Sequence, residues 1–149
     1  MELERYELST DIYGFEYFFY SEGPKGRIKK IITFRHVVGM SSNVFNLAFG
    51  DWEEATGRLN DRSVSNNNDQ LKVLNTVAKA TKDFLEFRPG AFILMRGSTS
   101  SRIRLYQMTI ATFWHDINQQ YELYGKFGEE WISFRKGLNF EEFMIFRKI

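Results

Sequence analysis

Apolar residues recur along this chain with two different periods, and the order in which those periods alternate limits the folds open to it. Residues 15–21 form a run of aromatic side chains suited to a strand, and 28–38 form a second run rich in β-branched residues. Between them stands Gly23-Pro24-Lys25-Gly26, which supplies a fixed φ and a position tolerant of positive φ, the chemistry of a hairpin turn. Within the second run Ile28, Ile32, Phe34 and Val38 share one side and Lys29, Thr33 and Arg35 the other, so one face of the hairpin is expected to be solvated. Residues 43–50 read as a third strand, with Phe45, Leu47 and Phe49 on the same face.

The period then changes. Over 71–87, Leu71, Leu74, Val77, Ala78, Thr81, Phe84 and Leu85 fall on one side and Lys72, Lys79, Lys82 and Glu86 on the other, as in an amphipathic helix. Asn68 or Asp69 stands where its cap belongs, and Pro89-Gly90 stands where it must stop. A compact apolar strand over 91–95 follows. A second helix over 103–117 is expected to bury Leu105, Tyr106, Thr109, Ile110, Phe113 and Ile117. Residues 121–125, 130–136 and 141–148 return to strands, with turns at 125–128 and 137–139. This order predicts an α+β fold: a mostly antiparallel sheet of about six or seven strands with two helices packed on one face. Residues 51–69 carry few apolar side chains and are expected to form a surface loop, with one short helical turn near 52–56.

At 149 residues the chain has the length of one domain, and 1–149 are expected to form a single one. With 15 Phe against 3 Trp, its core should rest on phenylalanine. The 20 basic and 19 acidic residues leave a formal net charge of +1, which gives no long-range steering toward nucleic acid or an anionic membrane. The absence of cysteine excludes disulfides, thiolate metal sites and a cysteine nucleophile. Only His36 and His115 remain as imidazoles, so no metal and no cofactor is expected. His36 shares the parity of Ile32 and Phe34, which predicts a half-buried strand residue, and His115 follows Trp114 on the second helix. No apolar run has the length of a membrane span, and Met1–Tyr6 lack the basic and apolar regions of a signal peptide, so a cytoplasmic location is expected.

Several motifs occur together: Gly23-Pro24-Lys25-Gly26, Asn46-Leu47-Ala48-Phe49-Gly50-Asp51, Ser65-Asn66-Asn67-Asn68-Asp69, Val73-Leu74-Asn75-Thr76-Val77 and Gly97-Ser98-Thr99-Ser100-Ser101-Arg102-Ile103-Arg104-Leu105-Tyr106. In this combination, which spans nearly the whole chain, the sequence resembles an uncharacterised bacterial domain family typical of Bacteroidetes. The resemblance implies a bacterial, stand-alone, single-domain protein. It brings no activity and no catalytic residues with it.

The segment from Arg96 to Arg104 is the leading candidate site. It joins a strand to a helix N-terminus, where free amides and the helix dipole favour an anion. Arg96, Ser98, Thr99, Ser101, Arg102 and Arg104 supply hydroxyls and guanidinium groups suited to a phosphate or carboxylate. The competing account makes one hydroxyl an N-cap and pairs Arg102 or Arg104 with a carboxylate of the domain. The segment lacks the second glycine and the lysine of a nucleotide-binding P-loop. Asp51, Asp61, Arg62, Asn66, Asn67, Asn68 and Asp69 could hold a divalent cation, although turns and a cap explain the same residues.

Lys25, Arg27, Lys29, Lys30 and Arg35 crowd the first hairpin beside aromatic strands that offer stacking surfaces for nucleic acid. Glu16 and Glu22 lie on the neighbouring strand and are expected to consume much of that charge, which favours a solvated basic hairpin. Asn75 and Thr76 sit among apolar neighbours in the first helix, where hydrogen bonds to neighbouring backbone carbonyls are favoured over a reach toward the Ser/Arg loop. Together these features predict a small binding or interaction module with an oxyanion site at 96–104, taking a phosphate-bearing ligand or an acidic protein surface. The alternatives are an enzyme acting on a phosphate-bearing or nucleotide substrate, with the Asp/Asn loop supplying a metal or general base, and a structural or regulatory partner protein. No catalytic residue and no oligomeric state follows from the sequence.

Overall fold

The computed structural model describes residues 4–60, 66–97 and 99–148. Nine strands and two helices lie among them: β1 (Ser9–Thr10), β2 (Glu16–Gly23), β3 (Gly26–His36), β4 (Val44–Glu53), β5 (Arg58–Asn60), α1 (Gln70–Phe87), β6 (Phe92–Arg96), α2 (Ser100–Gln120), β7 (Tyr121–Phe127), β8 (Glu130–Ser133) and β9 (Glu142–Arg147). Hydrogen-bonded neighbours run β1-β2-β3-β4-β6-β9-β7-β8, with β5 paired to β4. The fold is α+β, and its sheet is mostly antiparallel. β4 and β6 are the exception, running parallel through Val44↔Phe92, Phe45↔Ile93 and Asn46↔Leu94.

The strand total exceeds the six or seven expected because β1 and β5 are too short to show a period. β5 also corrects the reading of 51–69 as a loop with a helical turn near 52–56. β4 instead continues to Glu53, and Gly57, at φ 64°, lets the chain turn back into an antiparallel partner through Trp52↔Leu59. Residues 61–65 lie outside the described ones.

The chain groups into two compact units, Met1–Phe34 with Ala48–Phe84, and Arg35–Leu47 with Leu85–Ile149. In the first, α1 covers one face of the β2–β3 hairpin. Phe84 lies parallel to Phe34 at 4.3 Å between centroids, and Phe34 in turn meets the edge of Tyr17 at 5.8 Å. Stacked and edge-on rings of this kind add to the area they bury, and they carry the phenylalanine-built core that the composition predicts. Val73, Leu74, Val77, Ala80, Phe84 and Leu85 form the buried stripe of α1, whereas Leu71 and Ala78, expected on that stripe, are exposed. The stripe is centred about one position away from the one read from spacing, because Asn75 and Thr76 are buried with it.

Lys30 is buried on the same face as Phe19, its cross-strand partner, and its ammonium pairs with the Asp51 carboxylate. The expected solvated face of the hairpin is correspondingly partial. Ile31 and Thr33 are buried as well as Ile32 and Phe34, so the far end of β3 is covered on both faces and only the turn end stays open. Val38 lies beyond β3 and is exposed.

In the second unit, β6, β9 and β7 form a continuous antiparallel ladder through Leu94↔Met144 and Leu123↔Ile145. α2 packs on β6 and β7 with Tyr106 and Ile110 buried. Phe134, Phe140 and Phe143 cluster beneath it, and Trp114 of α2 lies 4.9 Å from the Phe134 ring. Gly125 has to be glycine here, since a Cβ would stand 2.3 Å from the Phe140 ring. His36 sits exposed at the end of β3, with its Nε2 3.0 Å from the Ser41 carbonyl, rather than half-buried, because the strand ends there.

Candidate functional site

The β6–α2 turn uses its polar residues chiefly to start the helix. Thr99 takes an extended backbone, φ −140° and ψ 164°, and its hydroxyl accepts the Arg102 amide at 3.2 Å, satisfying one of the orphan N–H groups of the first turn. Its carbonyl accepts the Ile103 amide at 3.1 Å. Gly97 lets the loop press against that turn, since a Cβ would lie 2.5 Å from the Ile103 nitrogen. Arg96 points to the sheet and pairs through Nε with Glu142 at 2.8 Å, across the β6–β9 register Arg96↔Glu142. Glu142 is also reached by Lys126 at 3.5 Å.

Arg102 is only 4% exposed and takes part in internal interactions. Ser101 and Arg104 are exposed on the first turns of α2, and Ser98 lies outside the described residues. Of the six residues singled out by sequence, five are described: one is a cap, one a cross-strand ion-pair partner, one buried and two solvent-facing.

A denser polar cluster lies in the first unit. Asp69 Oδ2 accepts both the Tyr6 hydroxyl and the Ser21 hydroxyl, each at 2.5 Å. Asn67 donates from Nδ2 to Ser21 Oγ at 3.0 Å and to the Gly26 carbonyl at 2.9 Å, and its Oδ1 accepts the Lys25 amide at 2.7 Å. Thr76 Oγ1 accepts the Tyr6 amide at 2.8 Å and donates to the Lys72 carbonyl at 2.7 Å; Asn75 Nδ2 donates to the Glu4 carbonyl at 2.9 Å. The hairpin turn, the segment before α1 and the mid-helix Asn-Thr pair are therefore parts of one hydrogen-bonded network. Thr76 bonds a neighbouring carbonyl of its own helix, as expected, whereas Asn75 reaches the carbonyl of Glu4, far away in the chain.

Burial, followed by Asp69, raises the Tyr6 phenol above its ordinary value, since an anion there would lose water and face a carboxylate. Ser21 has no exposed surface, so the hydroxyl–carboxylate pair is closed to a substrate. Asp69 caps α1 through its carbonyl, which accepts the Val73 amide, while its side chain serves the network. Asp51, Asn67 and Asp69 thus have structural partners, while Asp61 and Arg62 lie outside the described residues. No group of three or more His, Asp or Glu that could hold a metal occurs among the described residues.

The third arrangement is on the hairpin face opposite Lys30 and Phe34, toward the open turn end. Cross-strand partners share a face, so Tyr20↔Lys29, Glu22↔Arg27 and Phe18↔Ile31 lie together. The Arg27 guanidinium sits 3.9 Å above the Tyr20 ring, and Lys29 Nζ lies 4.7 Å from Phe18 and 5.7 Å from Trp52. Glu22 reaches Arg27 only at 3.9 Å, with both side chains well exposed, and Glu16 lies opposite Thr33. The carboxylates expected to neutralise this hairpin therefore leave most of its charge uncompensated. Parity along β2 and β3 could have found Tyr20 and Lys29 as neighbours. Trp52 could not be found that way, because β4 was expected to end at Gly50.

The sequence profile of the family of unknown function DUF6934 matches residues 2–148. The chain belongs to that family. No curated protein and no solved structure matches it. The DUF6934 match spans all three polar arrangements. No helix among the described residues is long and apolar enough to cross a membrane.

Proposed function

We propose that this DUF6934 protein is a cytoplasmic binding module for an oxyanion-bearing ligand, phosphate being the chemistry its cations suit. The observation that carries this reading is the turn end of the β2–β3 hairpin. Lys25, Arg27 and Lys29 fall within five residues there, with one long carboxylate contact to them among the described residues. An exposed ion pair at that distance contributes little, so the positive potential stays available to a ligand. Binding is favoured over catalysis because the Tyr6–Ser21–Asp69 cluster buries its serine completely.

A second reading keeps the oxyanion at the start of α2, and Arg104 favours it, being exposed and without an ion-pair partner among the described residues. Titration with inorganic tripolyphosphate separates the two. On the first reading Lys25→Ala with Lys29→Ala weakens binding at least tenfold and lowers its salt sensitivity, while Arg104→Ala leaves it unchanged. The reverse pattern moves the site to α2. Absence of binding at low salt removes both.

A further inference from the structure

We infer that the open face of the β2–β3–β4 sheet is a stacking platform for single-stranded nucleic acid, its bases on Phe18, Tyr20 and Trp52 and its phosphates on Lys25, Arg27 and Lys29. The inference rests on the oxyanion reading above and adds what the anion is attached to. Three half-buried rings on one face of adjoining strands are an uncommon surface to leave beside uncompensated cations. Phe18 and Tyr20 are two residues apart on β2, their rings 6.1 Å apart and edge-on, so successive flat groups can be offered separate surfaces. A two-residue step along a strand is roughly 7 Å, about twice the rise of stacked bases along a strand, which suits a splayed chain rather than a duplex.

The cations rest on the rings: Arg27 on Tyr20, Lys29 between Phe18 and Trp52. Such exposed cation–π contacts are weaker than base–ring stacking. An arriving strand can therefore displace the cations toward its phosphates and take the ring faces, so the same residues supply both halves of the recognition. Charge complementarity selects a polyanion, and the rings select one with flat, apolar faces. An acidic peptide satisfies only the first requirement. The near-neutral net charge is compatible with this, because stacking supplies specificity at short range without a long-range field.

The test is fluorescence anisotropy with labelled twelve-residue oligothymidylate and oligouridylate, a duplex of the same length, and polyglutamate, with tripolyphosphate binding measured in parallel. Both single strands are expected to bind more tightly than the duplex, with quenching of Trp52 emission that Trp52→Phe removes. Tyr20→Leu and Phe18→Leu should each weaken strand binding roughly five- to hundredfold while leaving tripolyphosphate binding intact. Tyr20→Phe keeps the ring and should restore affinity, which separates loss of stacking from loss of fold. Equal binding of strand and duplex, or of strand and polyglutamate, or indifference to the ring substitutions, overturns the platform and leaves the oxyanion reading standing. Failure of tripolyphosphate and oligonucleotides alike overturns both.

Discussion

Tyr6 shows how one side chain can serve as a joint. Its amide donates to Thr76, its hydroxyl donates to Asp69 and accepts the Glu22 amide, its ring stacks on Phe19 at 5.5 Å, and Lys72 lies 4.2 Å above it. No sequence signal marks it, because a tyrosine near a chain end has no periodic context from which burial can be read. Its raised phenol gives a pH signature whose sign is fixed. An unfolded chain releases that proton near the ordinary value of 10.0, while the folded chain holds it longer, so above that value the folded state binds more protons. The stability Tyr6 contributes is complete below pH 10.0 and is lost as pH rises through the folded value. Urea midpoints measured from neutral to strongly alkaline pH should fall more steeply for the parent than for Tyr6→Phe. Tyr6→Phe itself should be about 1 kcal/mol less stable at neutral pH, from the lost hydrogen bonds. Parallel curves for the two proteins would show that Tyr6 ionises alike in both states.

Among the elements, the β2–β3 turn was legible, but not what holds it. Gly23-Pro24-Lys25-Gly26 announces a hairpin from its own residues, and Gly26, at φ 89°, takes the position only glycine adopts easily. Gly23 is glycine for a reason outside the turn: a Cβ there would stand 2.0 Å from the Asn67 carbonyl oxygen and 2.8 Å from its Oδ1. Asn67 is 1% exposed and is clamped onto three points of the hairpin. The run Ser65-Asn66-Asn67-Asn68-Asp69 had suggested turns, a cap or a cation site, and spacing alone could not tell which asparagine faces inward. Gly23→Ala must push the Asn67 backbone away, and an overpacked buried contact of this kind costs about 1–3 kcal/mol. The expected result in urea is a lower midpoint with an unchanged slope. Wild-type stability for Gly23→Ala would mean that the segment before α1 yields freely to the hairpin.

At the scale of the whole chain, legibility followed length and period. β2, β3, β4, α1, β6, α2, β7, β8 and β9 each announce themselves by spacing or apolar runs, while β1 and β5, at two and three residues, exist only because a neighbour offers them hydrogen bonds. Local pattern cannot reveal an element whose stability comes entirely from its partner. The same limit explains the candidate site. Arginines and hydroxyls crowd residues 96–104 in sequence, yet Arg96 turns to Glu142 on β9 and Arg102 turns inward, because ion pairing and burial are decided by strands distant in the chain. Tyr20, Lys29 and Trp52 come together for that same reason, through pairing of β2, β3 and β4. Strand order then predicts how the molecule opens. β9 has β6 on one side and β7 on the other, so its amides can be released only by breaking a ladder, whereas β5 pairs with β4 alone among the described strands and carries half-exposed side chains. Native-state hydrogen exchange should find Phe143 and Ile145 among the slowest amides, near the global unfolding limit, and Arg58–Asn60 exchanging orders of magnitude faster through local opening. Comparable protection in β5 and β9 would mean that β5 is held by more than its three-residue ladder, and that Trp52 beside it is correspondingly less free to meet a ligand.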